Sequence, residues 1–385
     1  MKELIANVRD SLLGEIIIMF IGSVIGYLFL KIKTYHQVSK TKKNIERTQE
    51  RFVAENIISL DHGDPYYEYS DFVLDVIEPV YFLAIPEKYH KFILSQDPDF
   101  KFNEECIFNG TMDLDEYGES IGISNFRTLI DKHIMHAAED ISVRLRNSQI
   151  LFNGDKFGIR RINGRRVGDA ERSGLNIDFY RTDYFTHRVM RSVYKELKEK
   201  GHKISQSSNM SDVNRYYPFF TSLGINVLLI LEHKGHESIV LSNRRAEINV
   251  SGNDLWHVSV NEGLSNMDVN EFGEVDLLRC VTRGLREELG IRNQSFELLN
   301  SKNFYDLFLN VDVLEIGLTS MVKTTMSFEA VQNGFASAQD AELESKGLTS
   351  VIATKKDVLG LIQTSQCTDA CRYALHMYLS RNSMS

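Results

Sequence analysis

The side chains in this chain best suited to chemistry are two adjacent carboxylates, Glu287 and Glu288, at the end of a helix-period segment stopped by Gly290. Carboxylates three and four positions apart share one helix face and can hold Mg²⁺ against a pyrophosphate, whereas an isolated acidic pair is a solvated helix end. A second group is basic. Between Lys156 and Arg172 stand Lys156, Arg160, Arg161, Arg165, Arg166 and Arg172 against only Asp169 and Glu171, punctuated by Gly158, Gly164 and Gly168. Arginines in a glycine-rich turn clamp phosphates in bidentate fashion, so an anionic small ligand is one reading. A solvated hairpin tip or contact with anionic lipid headgroups is the other. Two further strings carry metal-ligand residue types, His133, His136 with Glu139, and Cys367 with Cys371. His133 fits an apolar helix stripe and the cysteines have no second pair beside them, so neither reads as a metal site.

Helices and strands must position these groups. Residues 124–147 carry Phe126, Leu129, Ile130, Ile134, Ala137, Ala138, Ile141 and Leu145 at helical spacing. Strands are expected at 149–152, 157–162 and 175–180, then a helix capped by Thr182 or Asp183 with Val189, Met190, Val193, Tyr194 and Leu197 inward. The Ser-rich stretch 204–209 reads as a linker. Beyond it, strands are expected at 225–231, 238–241, 256–260, 305–309 and 317–323. Helices are expected at 275–289, near 341–346, after 355 and over 369–379.

One long apolar run, residues 12–30, stands apart at the N-terminus with Glu15 as its single charge. At ~1.5 Å per residue it reaches ~28 Å, about the thickness of a hydrocarbon core, and predicts a single-pass span. Lys2 and Arg9 precede it, while Lys31, Lys33, Lys40, Lys42, Lys43 and Arg47 follow, which places the C-terminal body in the cytoplasm. Gly22 and Gly26 give the span a small-residue stripe for helix packing. Four scattered cysteines fit a reducing compartment, and a net charge of −9 argues against bulk nucleic-acid binding.

The segment Arg283-Gly284-Leu285-Arg286-Glu287-Glu288-Leu289-Gly290-Ile291 resembles the end of a Nudix box, G-x5-E-x7-R-E-U-x-E-E-x-G-U with U aliphatic. Gly284 stands where the family has a metal-binding glutamate, and the earlier glutamate is present only as Glu274, one residue out of register with Arg283. Residues 217–230, 261–265 and 278–291 narrow the likeness to the SMODS-associated Nudix domain of bacterial CBASS anti-phage operons. What this resemblance implies is a receiver of a cyclic oligonucleotide made by a partner nucleotidyltransferase.

The expected fold class is α/β: a single N-terminal transmembrane helix (1–33), an α+β middle region (34–205) and a C-terminal Nudix-like α/β/α sandwich (206–385). The expected function is a CBASS membrane effector that binds a cyclic oligonucleotide, clusters as a homo-oligomer and disrupts the bacterial inner membrane. The alternative is a membrane-anchored Nudix hydrolase cleaving a nucleoside diphosphate derivative. Expected ligand-binding residues are Arg160, Arg161, Arg244, Arg245 and Arg283. Glu287, Glu288 and Glu274 are the catalytic candidates, with Mg²⁺ on Glu287 and Glu288 only if the degenerate box is active.

Overall fold

Residues 223–231 are apolar on both sides of a pleat except at Gly224 and Asn226, the pattern of a strand covered on two faces. A computed structural model of the protein places that strand inside an eight-stranded sheet. The structure describes residues 27, 31–33, 35, 39, 56–61, 67–77, 81–102, 107–108, 113–147, 149, 153–169, 171–233, 235–244, 255–292, 304–338, 345–364 and 366–382. The chain divides into two units, Met1–Arg51 and Phe52–Ser385, and the second holds the sheets.

In chain order, β1 (Ile57–Ser59), β2 (Phe72–Val76), β3 (Tyr81–Phe82), α1 (Glu87–Gln96), β4 (Ile107–Phe108), α2 (Leu114–Ile121) and α3 (Phe126–Arg146) lead to the hairpin β5 (Asp155–Val167) and β6 (Arg172–Asp183). Next come α4 (Tyr184–Glu199), α5 (Met210–Arg215), β7 (Leu223–His233), β8 (His236–Arg244), β9 (Trp256–His257) and β10 (Val260–Gly263). The chain continues through α6 (Leu277–Leu289), β11 (Phe304–Asn310), β12 (Glu315–Thr324), α7 (Phe328–Phe335), β13 (Ser345–Ile352), α8 (Lys355–Ile362) and α9 (Asp369–Asn382).

The large sheet runs β1-β11-β12-β7-β8-β13, with β10 added to β7 and β9 to β8; β12 and β7 are parallel. Leu223, Ile225, Val227 and Leu229 pack into one core with Leu277, Val281, Leu285 and Leu289 of α6. Leu228 and Ile230 face the other way, against Val358 and Ile362 of α8 and Cys371, Ala374 and Leu375 of α9. The sheet therefore carries helices on both faces. A smaller sheet, β2-β6-β5, shares the first core through Phe157, Ile159, Ile177 and Phe179. The start of β5 is tied to the large sheet: Phe157 N donates to Leu264 O (3.3 Å) and Ile159 N to Phe220 O (2.7 Å).

The single-pass architecture is corrected. Among the described residues no helix is long and apolar enough to cross a membrane. A span needs about 20 mostly apolar residues. The 21-residue α3 has the length but carries Arg127, Asp131, Lys132, Glu139, Asp140, Arg144 and Arg146. The fold class is thus a mixed α/β protein without a spanning helix among its described residues, and the inner-membrane location is withdrawn. The run 12–30, apart from Tyr27, lies outside the described residues, as do Gly22 and Gly26.

Two other expectations change. The strand expected at 256–260 is split into β9 and β10, which pair with different neighbours. Ser259 makes the break: its hydroxyl accepts from Leu229 N (2.7 Å) and donates to Val240 O (2.5 Å), replacing a rung of the ladder. Of the helix expected near 341–346, residues 341–344 lie outside the described residues, while Ser345 and Lys346 open β13, paired antiparallel to β8.

Candidate functional site

Helix α6 begins where Asp276 Oδ1 accepts from Leu278 N (2.9 Å) and Arg279 N (3.3 Å), and ends at Gly290 in the left-handed conformation, φ 66°. Leu277, Val281, Leu285 and Leu289 enter the core, which turns Arg283, Gly284 and Glu288 toward β10. Arg283 grips Asp268 with two bonds, Nε to Oδ1 (2.9 Å) and Nη2 to Oδ2 (2.8 Å). Its Nη1 meets Glu262 Oε1 (2.8 Å) and its Nη2 also reaches Gly263 O (2.9 Å). Asp268 is 0% exposed, and its Oδ2 also accepts from Ser265 N (2.9 Å). This is a buried, fully bonded ion cluster, and its arginine has few donors left for a ligand.

The carboxylates of the motif are occupied as well. Glu288 is buried and accepts from the backbone N of Asn261 (3.1 Å). Glu287 lies 2.6 Å from Arg286 Nη2 and 3.5 Å from Arg283 Nη1. Burial pushes the Glu262 carboxyl above its ordinary value, although Arg283 pulls the other way. Gly284 sits at the closest approach of helix and strand: a Cβ there would lie 2.6 Å from Val260 Cγ1 and 3.0 Å from Glu262 Cβ. No carboxylate side chain fits at that position without moving β10.

Of the residues expected to act together, Arg283, Glu287 and Glu288 are neighbours. Glu274 is not among them; it is exposed in a turn, bonded to Asn270. Arg161 is spent on Asp178 (2.7 Å). Arg160 lays its guanidinium 3.5 Å above the Tyr217 ring, away from α6 in its bonding. The side chain of Arg244 and all of Arg245 lie outside the described residues. Sequence reading missed Asp268 and its link to Arg283. The signal was there in Ser265-x-x-Asp268, a capping box that forms as expected of the pattern. His133 is buried with Nε2 2.8 Å from Glu196, an ordinary core pairing.

No family model matches this chain, and no curated protein does. Among solved structures, Shewanella oneidensis NrtR complexed with a 27mer DNA aligns at 19% identity and TM-score 0.26, over 40% of this chain and 59% of that one. The NUDIX domain of the same protein complexed with ADP ribose aligns at 16% identity and TM-score 0.26, over 42% and 88%. A MutT/nudix family protein from Enterococcus faecalis aligns at 11% identity and TM-score 0.25, over 47% and 72%. These neighbours are Nudix-domain proteins. At this level of likeness they say nothing of what this chain binds.

The Nudix resemblance implies Mg²⁺, and the residues present do not fit it. Mg²⁺ takes a near-octahedral set of oxygens, of which the protein must supply at least one or two carboxylates free to point at the ion, with water and phosphate completing it. Here one position is a glycine without room for a side chain, one carboxylate is bonded to the backbone and one to arginines. Among the described residues no group of three or more His, Cys, Asp or Glu side chains is arranged to hold a metal ion.

Proposed function

We propose that this protein receives a nucleotide signal and does not hydrolyse it. The observation that carries the reading is Gly284, pressed against Val260 and Glu262 where a hydrolase would need a metal-binding carboxylate. The ligand class we favour is a cyclic oligonucleotide supplied by a partner nucleotidyltransferase in an anti-phage operon. Support for that class comes from the sequence resemblance over residues 217–230, 261–265 and 278–291.

The test uses the purified full chain in two assays. Calorimetry against cyclic di- and trinucleotides, with ADP-ribose and linear dinucleotides as comparators, is expected to yield one tight ligand among the cyclic species. Product analysis with Mg²⁺ or Mn²⁺ is expected to find that ligand intact. The double variant Glu287→Gln, Glu288→Gln should bind within about threefold of wild type, because glutamine keeps the carbonyl that meets Asn261 N. Metal-dependent turnover abolished by that variant overturns the reading in favour of a hydrolase, since removal of ligands or base costs orders of magnitude in rate.

A further inference from the structure

The opposite face of the β7–β10 pair carries what the α6 face lacks, side chains without partners. Gly263 is registered opposite Gly224, and Asn261 opposite Asn226. Glu262 points at α6, so the odd-numbered residues of β10 point away from it. Among the described residues, a Cβ on Gly224 would meet only Asn261 Oδ1, at 3.3 Å, and a Cβ on Gly263 only Lys156 Nζ, also at 3.3 Å. Two paired glycines thus let an amide and an ammonium lie close over the strand backbone, in a cradle that a side chain on either glycine would crowd.

The walls are uncommitted. Among the described residues neither the Lys156 ammonium nor the Asn261 carboxamide has a hydrogen bond or ion pair; Lys156 has only the Tyr184 ring, 6.0 Å away. Behind Asn261, the Oδ1 of Asn226 is buried without a hydrogen-bond partner, in a residue only 4% exposed. The cations around Lys156 are spoken for. Arg188 pairs with Asp140 (2.5 Å), Arg191 with Glu315 (3.5 Å) and Arg283 with Asp268 and Glu262. Burial, with Arg191 and Arg283 nearby, pulls the Lys156 pKa below the ordinary lysine value despite Glu315 and Glu262. Glu315 and Glu262 act on this ammonium only at a distance, and a partly desolvated ammonium with no direct ion pair among the described residues is stabilised further by an anion in contact with it.

We infer that the Gly224–Gly263 cradle is a ligand site for a sugar phosphate, with Lys156 holding the phosphate and the carboxamide of Asn261 a neighbouring hydroxyl. An ammonium is a point-charge phosphate partner, and an amide can both donate to and accept from a sugar hydroxyl. The site is composite. Lys156 comes from the β5 hairpin and the glycines and asparagines from the large sheet, so a ligand here joins the two sheets. The inference rests on the proposed nucleotide reading in that it locates the sugar-phosphate part of that ligand.

The probe is ribose 5-phosphate, titrated into the full chain by calorimetry. Wild type should bind it, and Lys156→Met should weaken binding by about tenfold or more, with Lys156→Arg retaining most of it. Gly263→Val, which crowds the cradle and the Lys156 ammonium without removing a charge, should weaken it by a similar factor, about tenfold. Failure of wild type to bind, or equal binding by the variants, overturns the cradle. Should a variant not fold, acylation footprinting of wild type decides: ribose 5-phosphate should slow modification of Lys156 and leave the exposed Lys88 and Lys355 unchanged, and no protection of Lys156 counts against it. Cyclic nucleotides separate the two claims. If they bind wild type and both variants alike, the cradle falls and the nucleotide reading stands. If ribose 5-phosphate needs Lys156 but no nucleotide binds, the cradle stands and that reading falls.

Discussion

The two faces of strand β10 differ by one residue step and behave as opposites. On the α6 face every charged group has found a protein partner: Arg283 holds Asp268 and Glu262, and Glu288 takes a backbone N–H. On the other face Lys156 and Asn261 have none among the described residues, and Asn226 Oδ1 is buried unmet. Residues of catalytic type can be absorbed into a fold as its fasteners. Residues of ordinary type, placed over bare glycines, are left able to bind. The motif therefore marks where the structure is held, and the absence of partners marks where a ligand is expected.

The largest effect should come from breaking the fastened face. Arg283→Met leaves Asp268 charged, fully buried and without its guanidinium, and the loss of one partner of a buried pair costs about 3–5 kcal/mol. Urea unfolding of the variant checks this. A loss near that of an exposed pair, about 1 kcal/mol or less, would break the comparison by making the cluster dispensable.

Asp306 extends the comparison along the second face, because Asp306, Thr319, Asn226 and Asn261 are registered one after another across β11, β12, β7 and β10. Burial raises its pKa to about 7, opposed by Arg381, Tyr373 and Ser59. The folded state therefore keeps a proton that the unfolded chain releases near the ordinary value of 3.8. Its contribution is fully present below pH ~4 and is lost as the pH rises to ~7, a fall on the order of a few kcal/mol in this one group's share. Unfolding free energies across that window, with Asp306→Asn as comparator, should show the slope removed in the variant. An unchanged slope would mean that other groups carry it.

Gly284→Ala tests the closeness of helix and strand. Alanine is the better helix former by about 1 kcal/mol, but its Cβ would overlap Val260 and Glu262, so a net loss of about 1–2 kcal/mol is expected. Gly284→Glu should lose more and gain no metal-dependent hydrolysis. Turnover by that variant would show that the fastened face is a hydrolase lacking one ligand.

The architecture was legible where periodicity and punctuation agree. α3, α4, α6 and α9 lie within a few residues of expectation, since apolar stripes at 3.6 spacing meet clear stops such as Asp183 and Gly290. The break at Ser259 was not legible, because a side chain replacing a ladder bond leaves no trace in hydropathy. Nor was the fate of Arg283, Glu287 and Glu288. Sequence spacing reports that carboxylates share a helix face; it does not report that β10 presses that face closed at Gly284. The cradle was invisible for the complementary reason, since Lys156 and Gly263 meet across more than a hundred residues. Among the basic residues of 156–172, composition could not separate Arg161 and Arg172, which have ion pairs, from Arg160 and Lys156, which have none among the described residues.

That last distinction yields the smallest expected effect. Arg161 has 60% of its side chain exposed and pairs with Asp178, so Arg161→Ala should cost under about 1 kcal/mol. Arg160 stacks on Tyr217 in half-buried surroundings, so Arg160→Ala should cost somewhat more, about 1 kcal/mol. Neither arginine borders the cradle in its bonding, and ribose 5-phosphate affinity should be the same in both variants as in wild type. Because the stability changes are small, a change in affinity can be read without correction for unfolding. Binding that survives Lys156→Met and is lost in Arg160→Ala would move the phosphate from the cradle to the Tyr217 side of the β5 strand, and with it the contrast between the two faces of β10.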